Sequence, residues 1–114
     1  MGRKSLCAVS ERLQQLRVLL SEEPGDVFVR YAIALELKRL GKLDEALADL
    51  ESLQADEPGH IATYYQLALL LAEAGRAEEA MQACEAGALR CVLVGDRKAR
   101  SELLSLKQSL QEID

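Results

Sequence analysis

The sequence predicts an all-α fold, a superhelical stack of about six antiparallel helices, and three observations carry that expectation. Shifting the chain by 34 residues onto itself aligns Pro24 with Pro58, Gly25 with Gly59, Gly41 with Gly75 and Ala46 with Ala80. The same shift places Ile33 on Leu67, Ala34 on Ala68, Leu35 on Leu69 and Leu37 on Leu71, so punctuation and apolar phase repeat together. Apolar residues recur throughout at the spacing of one helix face, and nothing reads as a strand.

Each element follows in order. Residues 5–21 align Leu13, Leu16 and Leu19 with Leu47, Leu50 and Leu53, and Glu11 with Glu45, so they read as the second helix of a unit whose first helix is missing. The first full repeat, residues 27–60, opens with a helix carrying Tyr31, Ala34, Leu35 and Leu37. Gly41 can take the left-handed conformation that ends it. A second helix then runs through Leu43, Ala46, Leu47, Leu50 and Leu53, with Asp44 and Glu45 where unpaired amides and the dipole favour carboxylates. Pro58 pushes Glu57 out of helical geometry, as Pro24 does Glu23.

The second repeat, residues 61–94, rebuilds the pattern with Gly75 at the turn and Glu78 and Glu79 at the start of its second helix. It departs at its end, where Val92 stands in place of the proline and the chain leaves through Gly95 and Asp96. Asp96 then caps a final helix within residues 96–113, whose Ala99, Leu103, Leu106, Leu110 and Ile113 step by four and three and are expected to close the stack. Small residues at Ala34 and Ala46, and again at Ala68 and Ala80, are expected to face one another where paired helices approach closely. Residues 1–114 thus read as a single domain.

This pattern resembles the tetratricopeptide repeat family: a 34-residue helix-turn-helix with a small residue in the first helix, glycine near the turn, alanine in the second helix and a terminal proline. The two copies carry it as Ala34, Gly41, Ala46, Pro58 and as Ala68, Gly75, Ala80. Arg30 stands where the family often has an aromatic residue, which Tyr64 restores in the second copy.

Composition narrows the function. Nineteen acidic against fourteen basic residues give a formal charge of −5, a field that repels phosphate backbones and anionic membranes, so neither nucleic acid nor membrane is an expected partner. Arg3 with Lys4, and Arg97, Lys98 and Arg100, are local exceptions able to attract a carboxylate but too few for a polyanion. No run reaches the ~20 apolar residues of a membrane span, the start lacks a signal core, and Leu6 breaks a myristoylation motif, so a cytoplasmic location is expected. Three cysteines, Cys7, Cys84 and Cys91, form no metal or redox pair and suit a reducing compartment.

The chain offers one histidine, His60, and none of the motifs of a hydrolase, phosphate loop, dinucleotide site or zinc protease, so it is not expected to be an enzyme or to hold a cofactor or metal. Cys84 repeats the phase of Leu50 and reads as core; His60 falls at a repeat junction, facing solvent or starting a helix. The family resemblance implies instead that the first helix of each repeat lines a concave face that holds a peptide or helix of another protein, as an adaptor or scaffold does. The matching residues are Phe28, Tyr31, Leu35, Lys38 and Arg39 in the first copy, and Ala62, Tyr65, Gln66, Leu69, Ala72 and Glu73 in the second.

Tyr31 with Tyr65 and Leu35 with Leu69 form two apolar rows suited to an amphipathic helix or apolar peptide, with Lys38 and Arg39 as a polar rim. Tyr31, Ala32, Leu35 and Gln66 are not the lysine and asparagines with which one subfamily grips a C-terminal carboxylate, so that mode is not expected. Two other occupants of the rows remain open at this point. One is the chain's own last helix, and the other is a second copy in a homodimer, or a neighbour in a larger repeat assembly.

Overall fold

The computed structural model describes residues 2–112, and side chains from Glu11 to Glu112. Ile113 and the side chains of Arg3, Lys4 and Cys7 lie outside these residues. Six helices and no strand are found among the described residues: α1 (Gly2–Glu22), α2 (Val27–Arg39), α3 (Leu43–Asp56), α4 (Ile61–Glu73), α5 (Ala77–Val94) and α6 (Arg97–Gln111). The chain divides into two compact units, Met1–Leu53 and Gln54–Asp114, which meet within α3.

Local chemistry sets the helix ends. Gly41, Gly75 and Gly95 adopt φ of 79°, 80° and 77° and occupy the ends of α2, α4 and α5. After α2, Lys42 N–H donates to the Leu37 carbonyl at 2.9 Å and Gly41 N–H to Lys38 at 3.0 Å; after α4, Arg76 and Gly75 donate likewise to Leu71 and Ala72. These paired bonds satisfy carbonyls that a helix end leaves orphaned, and only glycine takes the left-handed conformation without strain. The other junctions are turns in which Asp26 N–H reaches the Glu23 carbonyl and His60 N–H the Glu57 carbonyl, both at 3.0 Å. Proline in each turn fixes φ where a turn needs it and prevents the preceding helix from continuing.

The missing proline has a visible result. α3 has 14 residues and stops before Pro58, whereas α5 has 18 and runs on through Val92 until Gly95. At 1.5 Å per residue, four more residues extend it by about 6 Å.

In the first unit, Arg12 of α1 lies 3.7 Å from Glu36 of α2, and Arg30 of α2 donates to Ser52 Oγ of α3 at 3.2 Å. Residues early in α2 thus meet residues late in α3, as an antiparallel pair requires, and Ala34 and Ala46 are both fully buried. Ile33, Leu37, Leu47, Leu50 and Leu53 fill the same core. α1 contributes Leu16, with Leu13 and Leu20 half-buried. Leu19, expected to match the buried Leu53, is 49% exposed, because it lies about a quarter-turn from the stripe formed by Leu13, Leu16 and Leu20. Leu43, at the mouth of α3, is likewise exposed.

The second unit packs α5 against α4 and α6, and α6 also against α4. Tyr64, Cys91 and Leu103 form its centre, with Ile61, Tyr65, Ala86 and Ala99 against them. Gly87 permits this closeness: a Cβ placed there would fall 2.6 Å from Tyr64 Cβ and 2.9 Å from Leu103 Cδ1. The repeat shift pairs Gly87 with Leu53 and Tyr64 with Arg30, so one unit sets a large aromatic against glycine where the other uses leucine and an outward-reaching arginine. Tyr64 also donates its hydroxyl to the Pro58 carbonyl at 2.6 Å, tying α4 to the turn before it.

Candidate functional site

The candidate residues lie on α2 and α4, whose sequences place them on one face by spacings of three and four. On α2, Tyr31, Leu35 and Lys38 are half-buried, while Phe28, in the first turn, is 80% exposed. Asp26 caps this helix by accepting the Val29 N–H at 3.1 Å, which fixes the turn that carries Phe28.

Arg39 is already engaged. Its Nε and Nη2 donate to the two carboxylate oxygens of Glu36 at 3.0 and 2.5 Å, a two-pronged pair that lets Glu36 remain charged while buried. The hydrogen bonds from Arg39 hold the Glu36 carboxyl below its usual range, with Arg39 and Arg12 adding charge attraction against the cost of burial. Arg39 thus secures the helix end, and Lys38, one residue before it, is half-buried.

On α4, Tyr65, Gln66 and Leu69 are half-buried, as is Ala72, whereas Ala62 and Glu73 are exposed. Tyr65 packs against the Tyr64–Cys91–Leu103 centre and also opens on a cleft of about 340 Å³ between α4 and α6, lined by Ser101, Glu102, Ser105, Leu106 and Ser109. α6 therefore flanks the α4 row and leaves a groove beside it. Reading α6 as a closing helix missed this contribution, although the spacing of Ser101, Ser105 and Ser109 by four marks a polar stripe on one face. Tyr31 and Leu35 belong to the first unit, and Tyr65 and Leu69 to the second.

The remaining chemically interesting residues have structural surroundings. His60 precedes α4 as its N-cap, makes no side-chain capping bond, and pairs Nδ1 with Thr63 Oγ1 at 2.7 Å. Burial holds its pKa below the usual value, against the opposing pull of Glu57. Burial pushes the Cys84 thiol up to about 11, the reverse of what a nucleophile needs, and also raises Cys91. Both are unbridged core residues. No group of metal-ligating side chains, and no helix long and apolar enough to cross a membrane, occurs among the described residues.

Comparison with known proteins matches a tetratricopeptide repeat model to residues 37–90. No curated protein matches the chain in sequence. Among solved structures, the tetratricopeptide repeat domain protein of Salinibacter ruber, in solution, is 30% identical with a TM-score of 0.77, over 81% of this chain and 93% of that one. Its crystal structure gives a TM-score of 0.74 at the same identity, over 78% of this chain and the whole of the other. A TPR2B domain of yeast Sti1, solved in complex with pHsp70, has a TM-score of 0.84 at 15% identity, over 99% of this chain and 90% of that one. Six helices in this order, the glycine-ended first helices, the buried repeat alanines and a 30%-identical relative spanning most of both chains together show that this chain belongs to the tetratricopeptide repeat family.

Proposed function

We propose that the chain is an adaptor that holds a peptide or helix of another protein against the first helices of its repeats. Protein–protein interaction is the general use of this fold; the location of the partner and the residues that contact it are our reading. The observation that carries it is the setting of Tyr65, a half-buried aromatic residue anchored on the core yet opening on the α4–α6 cleft. An aromatic ring fixed in this way offers contact area at small entropic cost, and the neighbouring serine hydroxyls and Leu106 offer mixed polar and apolar contact. Leu69 extends the α4 row; Phe28, Tyr31, Leu35 and Lys38 provide a comparable row on α2. The yeast Sti1 domain, carrying an Hsp70 partner on the same fold, supports peptide capture as a use open to this architecture.

With two full repeats, a dissociation constant near the micromolar range, roughly −8 kcal/mol, is expected. A display selection of random peptides against the chain tests the reading, repeated with Tyr65→Asp and Tyr31→Asp. Selected peptides should lose at least about tenfold in affinity for the variants, equal to about 1.4 kcal/mol, while circular dichroism stays helical. Undiminished binding by both folded variants refutes the assignment.

A further inference from the structure

The end of α5 and the start of α6 bring two features together, an exposed aliphatic strip and a basic first turn. The inner side of α5 carries the buried residues Ala80, Ala83, Cys84, Gly87, Ala88 and Cys91. The opposite side begins polar, with Glu78, Gln82 and Glu85 all exposed, as an outer helix face should. It then turns apolar: Leu89 is 65% and Leu93 70% exposed, with Val92 beside them, while Val94, seven residues after Gly87, ends the inner stripe and is 61% exposed. The repeat shift places these four on Ala55, Pro58, Gly59 and His60, so the repeat pattern itself does not call for them. Val92, Leu93 and Val94 come with the extra turn that the missing proline allows, and Leu89 stands one turn before Leu93 on the same side. A cluster of exposed aliphatic side chains that contributes nothing to the core marks an interaction surface.

The second feature concerns charge. α3 and α5 begin with Asp44 and Glu45, and with Glu78 and Glu79, which complement the positive end of the helix dipole. α6, like α2 and α4, has no acid in its first turn, and it carries Arg97, Lys98 and Arg100 there, where the dipole opposes them. Asp96 caps this helix by accepting the Ala99 N–H at 3.0 Å. The ion pairs of Arg76 with Glu79 and of Lys107 with Glu85 do not involve these basic residues. Residues 90–100 hold four basic side chains and one acidic one in a chain that is acidic overall. A cleft of about 320 Å³, lined by Cys91, Val92, Gly95, Asp96, Arg97 and Arg100, joins the apolar turn to the basic one.

We propose that Leu89, Val92 and Leu93, rimmed by Arg90, Arg97, Lys98 and Arg100, form a second docking surface for an acidic amphipathic segment of a partner protein. The aliphatic residues would receive its apolar side, and the basic rim would meet its carboxylates. The occupant follows from charge complementarity: four cations beside an apolar strip disfavour a basic or neutral helix and favour one with glutamate or aspartate at its edges. This surface lies on α5 and the start of α6, apart from the α2 and α4 rows proposed above.

The test uses a fluorescein-labelled synthetic helical peptide, with leucines along one face and glutamates at its edges, and a matched peptide with lysines at those edges. Fluorescence anisotropy should show micromolar binding of the glutamate peptide and at least about tenfold weaker binding of the lysine peptide. Leu89→Asp with Leu93→Asp, and separately Arg97→Glu with Lys98→Glu, should each weaken the glutamate peptide at least about tenfold, and added salt should weaken it further. Tyr65→Asp should leave it unchanged, which separates failure here from failure of the α4 site. Circular dichroism of each variant checks that it remains folded. The proposal is overturned if the two peptides bind alike, if neither folded double variant weakens binding, or if neither peptide binds. It is also overturned if the chain instead co-sediments with phosphatidylserine vesicles through these residues, or self-associates in sedimentation and loses that association in Leu89→Asp with Leu93→Asp.

Discussion

Replacing Gly87 by alanine sets two magnitudes of opposite sign against each other. Alanine is the better helix former by about 1 kcal/mol, so a view based on propensity alone predicts that the substitution stabilises α5. The added methyl, however, falls 2.6 Å from Tyr64 Cβ and 2.9 Å from Tyr64 Cγ and Leu103 Cδ1. Carbon atoms prefer about 3.5 to 4.0 Å, so the shortest contact is about 1 Å too close. The Leu103 methyl can rotate away, but Tyr64 Cβ is fixed to the α4 backbone, and relief requires α5 to move off α4. Such overpacking costs about 1–3 kcal/mol, here near the upper end, which leaves a net loss of about 2 kcal/mol after the propensity gain.

For a chain of this size that loss lowers the melting temperature by about 8 °C. Thermal unfolding followed by circular dichroism measures it, with Gly59→Ala as control. A Cβ at Gly59 meets nothing within 4 Å, and its backbone lies outside the left-handed region, so that variant should stay within about 0.5 kcal/mol of the wild type. A Gly87→Ala protein as stable as the wild type, or more stable, refutes the claim that α4, α5 and α6 meet at van der Waals limits around this residue.

Gly75→Ala tests the turn chemistry: space is open around it, but a φ of 80° strains any other residue, so urea unfolding should show a loss of about 1–2 kcal/mol, and none if the turn can adopt another form. Arg39→Ala tests the pair that keeps Glu36 charged. Because the folded pKa of Glu36 is held below its ordinary 4.5, its contribution is complete above that pH and is lost as pH falls through the lowered value. The wild type should therefore exceed Arg39→Ala in stability at neutral pH, and the gap should close in acid; a gap independent of pH counts against the pair.

What the sequence determined by itself was the set of features fixed by neighbours along the chain. The 34-residue shift located the first five helices and apolar stepping after Asp96 the sixth, and the ends came out close to the structure because glycine and proline act within a turn of themselves: Gly41, Gly75 and Gly95 close helices by bonds spanning at most six residues. The start of α1 at Gly2 rather than Ser5 has no such marker. The buried alanines were equally legible, since their phase repeats. Burial was less so where it depends on a narrow stripe, as exposed Leu19 shows.

Only the tertiary structure decided how helices far apart in sequence meet. Glycine within a helix pattern does not announce itself as a point of contact; that Gly87 seats Tyr64 and Leu103 depends on three helices at once. In the same way, Arg39 looked like a free rim cation until Glu36 was found buried beside it. The position of α6 alongside α4, which makes a cleft at Tyr65, and the outward aspect of Leu89 and Leu93 also depend on which faces the packing covers. Local backbone chemistry fixes where helices begin and end; the competition among apolar faces for a limited core settles which side chains are left for a partner.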